Sequence, residues 1–163
     1  MSDVCLLKFF YRKQIRYPLI FLNLYMLSKK TKYGLKALSF LAKQKPNSPV
    51  LISDISESEN ISRKFLESIL LTLKKNGFLA SKKGKGGGYY LLKNPAEVSV
   101  SSIIRVLEGP IAMLPCVSLN YYERCDDCTN EDDCSLKILM AEVRDSTLKI
   151  LENKTLDDFS DDQ

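Results

Sequence analysis

The sequence predicts a mainly α-helical protein with one small β-hairpin and a long helix near its C-terminus. Apolar residues recur every three or four positions in four separate segments, which is the spacing of an amphipathic helix. A glycine-rich run, residues 84–88, lies between two short β-prone segments. The last apolar stripe extends from residue 136 to residue 151, which is long for a helix buried within one small domain.

Charge is distributed unevenly along the 163 residues. Residues 26–95 carry 14 basic against four acidic residues, a net charge of +10, and residues 96–163 carry six against 15, a net charge of −9. The first 25 residues add +3. We therefore expect one half to contact a polyanion. The chain has no histidine, which excludes Ser-His and Cys-His catalysis and argues against an enzyme.

Residues 1–25 combine four basic residues with an apolar run that begins at Tyr17. This run is too short to span a bilayer, Asn23 interrupts it, and no small-residue cleavage site follows. We interpret residues 1–25 as an N-terminal extension upstream of a true start at Met26, where the amphipathic pattern begins. Because no other segment is long and apolar enough to span a membrane, we predict a cytoplasmic protein without membrane contact.

The first two helices are predicted from their capping residues and from the turns that end them. Ser28 can cap a helix that continues to about Lys45, where Pro-Asn-Ser-Pro ends it. Ser53 can cap a short second helix over residues 54–59, with Ile55 turned inward.

A third helix begins at a Ser62 cap and ends at Gly77. Its apolar stripe consists of Phe65, Leu66, Ile69, Leu70 and Leu73. Two short helices joined by a tight turn, the second basic at its N-terminal end, are typical of a helix-turn-helix. Ser62 and the first backbone amides can bind a phosphate. Arg63 and Lys64 can reach a guanine edge or the DNA backbone.

Residues 78–83 and 89–92 predict two strands of a β-hairpin, the wing. Lys82, Lys83 and Lys85 lie beside four glycines, whose missing Cβ atoms would let the loop enter a narrow groove. A nucleotide-phosphate loop fits poorly, because GxxxxGK[ST] is absent and the glycines lead into another strand. The wing therefore strengthens the prediction of salt-dependent DNA binding.

Two more helices are predicted beyond the wing. Ser99 or Ser101 begins the fourth, Gly109 and Pro110 end it, and residues 111–133 lack periodicity. The fifth covers residues 135–153, with a stripe that consists of Leu136, Met140, Val143, Thr147 and Ile150, flanked by Leu139 and Leu151. Packing within the chain is one explanation of this stripe, but its length favours a homodimer seam.

These elements predict four parts of the chain. The extension 1–25 precedes a winged helix-turn-helix domain over residues 26–110. A cysteine-containing sensor loop follows at residues 111–134, and residues 135–163 form a dimerisation helix with an acidic tail.

Four of the five cysteines lie within 19 residues of one another: Cys116, Cys125, Cys128 and Cys134. Thiolates at these spacings in a flexible loop can converge on one soft metal ion or on an iron–sulfur cluster. Acidic residues crowd the same loop, so the thiolates need positive charge, which a metal supplies. We favour an iron–sulfur cluster of the two-iron two-sulfur or four-iron four-sulfur type. A structural zinc site, a thiol–disulfide switch and inert cysteines are the alternatives.

From Met26 onward the chain closely resembles the Rrf-two (Rrf2) family of bacterial winged-helix regulators. The resemblance rests on LSKKTKYGLKALSFLA, ISRKFLESILLTLKKNGFLASKKGKGGGYYL, SVSSIIRVLEGPI and the final ENKTLDDF, which cover nearly all of residues 26–159. It implies a homodimer on a palindromic operator, with paired helices in the major groove and wings in the minor groove. It also implies that Ser62, Lys64, Phe65 and Ser68 hold DNA-contacting positions and that Lys83 enters the minor groove. The candidate DNA-contacting residues are Ser28, Lys29, Lys30, Ser62, Arg63, Lys64, Phe65, Ser68, Lys82, Lys83 and Lys85.

The resemblance also bears on the cysteines, because several family members hold an iron–sulfur cluster in this loop with three cysteines and a fourth residue. Cys128 and Cys134 resemble the later two ligands, and the first is either Cys125 or Cys116. The histidine that some members use corresponds to Lys137, which excludes a histidine ligand and leaves a fourth cysteine or a carboxylate. Other members have no cluster.

We predict a homodimeric, sequence-specific transcriptional repressor that senses redox, iron–sulfur or nitric-oxide status through this loop. One competing hypothesis is a zinc-stapled or cluster-free regulator without a sensory role. Another is a protein-interaction adaptor whose basic face binds an acidic partner. A catalytic thiol enzyme is the weakest hypothesis, because no histidine is present as a base.

Overall fold

The computed structural model describes residues 27–159, so the predictions for the extension 1–25, the start at Met26 and residues 160–163 lie outside the described part. The elements are α1 (Lys29–Ala42), α2 (Ile52–Glu59), α3 (Arg63–Lys75), β1 (Leu79–Lys82), β2 (Gly88–Leu91), α4 (Val100–Leu107) and α5 (Ser135–Glu152), with short 3-10 turns at Pro95–Glu97, Pro115–Val117 and Asp157–Phe159. This order confirms a mainly helical fold with one hairpin. Between residues 27 and 159, no helix is long and apolar enough to cross a membrane.

Helix α1 begins where the sequence predicts, because the Ser28 hydroxyl accepts a hydrogen bond from the Thr31 N–H group at 3.3 Å. It ends at Ala42 and does not continue to Lys45. The Gln44 N–H group turns back to the carbonyl of residue 41 at 3.2 Å, which closes the last turn before the proline.

Helices α2 and α3 form the predicted helix-turn-helix, but the predicted Ser53 cap is wrong. Leu51 takes the N-cap position, and its carbonyl accepts the Asp54 N–H group at 3.1 Å, so the helix already includes Ser53. Asn60 ends α2 with a left-handed φ of 51°, a conformation that asparagine tolerates better than most residues. This turn sets the direction of α3.

The wing is a two-stranded antiparallel hairpin whose register pairs Leu79 with Leu91 and Lys82 with Gly88. Helix α3 leads directly into it, because Gly77 adopts a φ of +75° and the Phe78 N–H group closes on the helix at 3.0 Å. The first strand is two residues shorter than predicted, and the second has the predicted length but begins and ends one residue earlier.

The hydrophobic core forms where α1, α3 and α4 meet. Its largest fully buried apolar side chains are Leu38, Ile55, Leu66, Ile69, Leu70, Leu73, Leu79, Ile103 and Leu156. Ser99, and not Ser101, caps α4 by accepting the Ser102 N–H group at 3.3 Å. Leu156 joins the core because its N–H group donates to the Val98 carbonyl at 2.9 Å. The chain after α5 therefore returns to the core of the first four helices.

Candidate nucleic-acid interface and cysteine cavity

Helix α3 has one buried face and one exposed face, as a recognition helix requires. Leu66, Ile69, Leu70 and Leu73 are buried, whereas Ser62, Arg63, Lys64, Glu67 and Ser68 are exposed. Ser62 occupies the predicted N-cap position, but the prediction that its side chain caps the helix is wrong, since the hydroxyl makes no capping hydrogen bond. The exposed face thus presents two cations and two hydroxyls on one side of the molecule.

Phe65 is turned more inward than the other candidate contacts. Its ring is half-buried and packs edge-on against the ring of Tyr33, with centroids 5.9 Å apart. The Ser68 hydroxyl donates to the Phe65 carbonyl at 2.7 Å, which leaves the hydroxyl oxygen able to accept. Packing against α1 fixes Phe65, and its contact with DNA remains a prediction.

The wing is tied to the helices at its base. Val50 and Tyr89 exchange two backbone hydrogen bonds, at 2.9 and 2.8 Å, and the Lys74 ammonium donates to the Ser81 hydroxyl at 2.6 Å. Burial, and next the charge of Glu67 on α3, raise the pKa of Tyr89. These contacts hold the wing in a defined position beside the recognition helix.

Contacts within the chain explain two of the wing glycines. The sequence had instead predicted that the glycines let the loop enter a DNA groove. A Cβ atom at Gly88 would collide with the backbone of Val50, and one at Gly87 would collide with the carbonyl of Lys82. Gly84 and Gly86 adopt φ values of 88° and 73°, with nothing within 4 Å of a Cβ position. Close approach to DNA is therefore unnecessary to explain Gly87 and Gly88. Lys82, Lys83 and Lys85 are exposed around this loop.

The start of α1 carries the remaining candidate contacts, Ser28, Lys29 and Lys30. Lys29 is exposed and Lys30 is half-buried. The Ser28 hydroxyl is engaged within the chain, because it donates to the Glu108 carboxylate at 2.7 Å while it caps α1. Glu108 was not predicted from the sequence, since no local pattern links residues 80 positions apart.

The four clustered cysteines surround one cavity of about 510 Å³. Cys116 is buried in a 3-10 turn, Cys134 precedes α5, and Cys125 and Cys128 lie in one turn whose N–H···O distance is 3.2 Å. A hydrogen bond with the Cys116 thiol, followed by burial, raises the pKa of the Cys125 thiol. Burial, followed by the proximity of Cys134, raises the pKa of Cys128.

Four thiols are a suitable donor set for zinc or for an iron–sulfur cluster, and they share one cavity. They are not gathered into a coordination shell: within residues 27–159, no group of three or more cysteine or acidic side chains is arranged closely enough to hold a metal ion. The donor chemistry therefore fits, and metal binding would require the four thiols to lie closer together than they do here.

A charge network that the sequence did not predict lies at this cavity. The Glu131 carboxylate accepts hydrogen bonds from the Tyr122 hydroxyl at 2.6 Å and from the Lys137 ammonium at 2.8 Å, and it pairs with Arg124 at 3.3 Å. Arg124 also donates to the Cys128 carbonyl at 3.0 Å. The bond from Lys137 is the largest cause that lowers the pKa of Glu131. Two cations, Arg124 of the loop and Lys137 of α5, thus already lie beside the thiols.

Helix α5 is less uniformly buried than its predicted stripe suggests. Leu136, Leu139 and Ile150 are 53, 51 and 65% exposed. Val143 and Thr147 line an apolar cavity of about 390 Å³ against the segment after α4. Leu148, which the predicted stripe omits, is the buried residue of α5. One side of the helix therefore packs on the chain, and another presents apolar side chains at the surface.

The helix-turn-helix, the adjoining wing and the exposed cations define a winged helix-turn-helix transcriptional regulator. The chain belongs to the Rrf2 family, since residues 27–162 match the family described as "Iron-dependent Transcriptional regulator". Proteins of this family are regulators and not enzymes, and DNA binding follows from membership.

Individual relatives agree with this assignment. An rrf2-like HTH-type transcriptional regulator of Rhodobacter capsulatus is 44% identical over 82% of this chain and 91% of its own length. The regulator IscR of Pectobacterium atrosepticum is 32% identical over 82% of this chain and 77% of its own. The structure of CymR, the global cysteine regulator of B. subtilis, matches 83% of this chain and 96% of its own with a TM-score of 0.69 and 31% identity. The structure of T. potens IscR matches 82% of this chain and 85% of its own length, with a TM-score of 0.65 and 30% identity.

Proposed function

We propose that this protein is a homodimeric repressor that binds a palindromic operator and changes its DNA affinity with the state of an iron–sulfur cluster in the cysteine loop. The observation that carries the proposal is the position of the cysteine cavity, which is bordered by α5 on one side and is connected through residues 109–115 to α4 and the DNA-binding helices. A cluster there can bias the geometry of the DNA-binding part.

The DNA contacts come from three exposed regions. Arg63, Lys64 and Ser68 on α3 read the major groove, and Phe65 shapes that surface through its packing on Tyr33. Lys83 enters the minor groove, while Lys82, Lys85, Lys29 and Lys30 contact phosphates together with the hydroxyl of Ser62. Ser28 contributes by capping the helix that carries Lys29 and Lys30, because its hydroxyl already donates to Glu108. Because the proposed ligand is operator DNA, the proposal includes a cytoplasmic location.

The homodimer forms through α5. Leu136, Ile138, Leu139 and Ile150 are each more than half exposed on this helix. Burial of such side chains against a second copy removes apolar area from water, at about 25 cal/mol per Å². A two-fold axis along paired α5 helices would present two recognition helices to half-sites about one DNA turn apart.

Cys128 and Cys134 are two of the proposed cluster ligands, and Cys116 and Cys125 supply the others. The cluster would bring positive iron to thiols whose own pKa values burial and neighbouring thiols raise. Glu131 is an unsuitable ligand, because Tyr122, Arg124 and Lys137 already engage its carboxylate.

Anaerobic purification followed by iron, sulfide and zinc analysis and a visible spectrum tests the cluster. We expect iron with sulfide and a coloured protein, and we expect both to be lost when Cys125, Cys128 and Cys134 are changed to alanine. Thr129→Ala changes a side chain of the same cavity that is not a thiol, so it is the matched control and should keep the colour. Colourless protein with one zinc would show a structural metal site, and metal-free protein in every preparation would contradict both.

A further inference from the structure

Helix α1 carries three lysines at the end of a helix where cations are least favourable. Lys29, Lys30 and Lys32 lie at its start, and its first turn contains no acidic residue. Aligned peptide dipoles place a partial positive charge at a helix N-terminus, so acidic residues stabilise this end and lysines destabilise it. The start of α1 therefore needs compensation from outside the helix.

Glu108 supplies this compensation. Its Oε2 atom accepts hydrogen bonds from the Ser28 N–H group at 3.0 Å, the Ser28 hydroxyl at 2.7 Å and the Thr31 hydroxyl at 2.5 Å. Thr31 is fully buried. Burial alone would raise the pKa of Glu108, but the bonds from Thr31 and Ser28, assisted by the charge of Lys30, outweigh burial and lower it. The carboxylate is therefore charged at neutral pH.

Glu108 also borders the half of the molecule that carries the cysteines. It is the C-cap residue of α4, and its N–H group donates to the Ile104 carbonyl at 2.8 Å. Its side chain lines the apolar cavity together with Ile111 and Met113 of the following segment and Val143 of α5. One carboxylate thus contacts the start of α1 and borders the segment that leads to the cysteines.

We propose that Glu108 is a positioning residue that fixes Lys29 and Lys30 for phosphate contact and makes their position depend on the segment after α4. This inference rests on the proposed DNA contacts of the two lysines and adds the residue that holds them. Lysines at a helix start are unfavourable, and here a carboxylate distant in sequence compensates for them. Such an arrangement is expected where function requires the lysines.

Glu108→Gln tests the inference, because it keeps the shape of the side chain and removes its charge. Loss of an anion near DNA would by itself strengthen binding. Positioning predicts the opposite: about five- to tenfold weaker binding to a duplex of about 30 base pairs that the wild type selects from a random pool, and a salt slope shallower by about one. Glu108→Asp keeps the carboxylate and should restore part of the affinity. Glu97→Gln, an equal charge change on an exposed turn, should bind at least as tightly as the wild type.

Amide hydrogen exchange without DNA separates this inference from the proposed function. In Glu108→Gln, the amides of Thr31 and Lys32 should exchange faster, while those of α3 stay as in the wild type. Unchanged or tighter binding, an affinity loss with an unchanged salt slope, or faster exchange throughout the chain would each overturn the positioning role. If the wild type binds no duplex, the DNA contacts fail, and the exchange at Thr31 and Lys32 alone decides whether Glu108 holds the start of α1.

Discussion

The DNA-binding half (residues 27–110) and the cysteine half (residues 111–159) of this molecule differ in how far contacts within the chain bury and pair their side chains. In α3 and the wing, apolar side chains are buried by the chain itself, and the Val50–Tyr89 hydrogen bonds fix the hairpin. In the cysteine half, Leu139 and Ile150 are exposed, and four thiols surround a cavity without forming a coordination shell. The first half is organised by contacts within the chain, and the second leaves thiols and apolar side chains on which the proposed cluster and the proposed homodimer depend.

Gly88→Ala should have the largest effect on the self-organised half. A Cβ atom would collide with the backbone of Val50, and the φ of +147° is strained for alanine. We expect the free energy of unfolding to fall by about 3 kcal/mol or more and duplex binding to be lost. Urea denaturation and fluorescence anisotropy measure the two effects.

Gly86→Ala is the matched control within the same loop. Its φ of 73° is also unfavourable for alanine, but nothing lies within 4 Å of the added Cβ. The expected loss of stability is about 1 kcal/mol. Equal losses in the two variants would contradict the contact of the wing with Val50 as its anchor.

Two leucines of α5 provide the next comparison. Leu148 is 7% exposed, so Leu148→Ala should lower the free energy of unfolding by about 2–4 kcal/mol. Leu139 is 51% exposed, so Leu139→Ala should cost less than about 1 kcal/mol in dilute protein while weakening self-association. Sedimentation at several protein concentrations measures association. Unchanged self-association in Leu139→Ala would argue against α5 as the dimer seam.

Lys83→Ala tests the proposed minor-groove contact. We expect about tenfold weaker binding to the selected duplex and a salt slope lower by about one, because one cation no longer displaces a counterion. Lys93→Ala removes the same charge from an exposed position after β2, away from the tip of the hairpin, and should have a smaller effect. Titration at several salt concentrations measures both, and equal effects would mean that only net charge matters.

Asp158 should have the smallest effect. A backbone hydrogen bond from Thr155, followed by one from Lys154, lowers its pKa to about 2. Because the pKa in the folded state is lower than the ordinary value of about 3.9, this stabilisation is present above about pH 4 and is lost as the pH falls towards 2. Thermal unfolding should show that Asp158→Asn lowers Tm slightly at pH 6 and not at pH 2. A difference independent of pH would contradict this.

Local signals in the sequence were sufficient for most of the DNA-binding half. The Ser28 cap and the stripe of α3 are each encoded within a few residues. For α4 the local signal left Ser99 and Ser101 as alternatives, and Ser99 is the cap. The predicted start of α2 was wrong, because Leu51, which has no capping side chain, occupies the N-cap position. A serine near a helix start is therefore insufficient to locate that start.

The remaining features depend on contacts between distant residues. Glu108 meets Ser28 across 80 positions, and Gly88 requires the backbone of Val50. The pairing of Glu131 with Lys137 lies closer in sequence, but it depends on the fold of a segment without periodicity. Single-sequence patterns carry no information on such pairs. The clustering of the four cysteines could therefore be predicted from their spacing, but the ion pairs of Glu131 beside them could not.

One measurement tests the central claim most directly. It is the affinity of a single protein preparation for the selected duplex before and after its metal is removed under anaerobic conditions. The claim is that the cysteine half regulates the DNA-binding half. It predicts that the Kd changes at least about fivefold on metal removal, the lower end of typical coupling between two sites. The same change should be absent when Cys125, Cys128 and Cys134 are alanine. Equal affinity before and after metal removal in the wild type would contradict the claim.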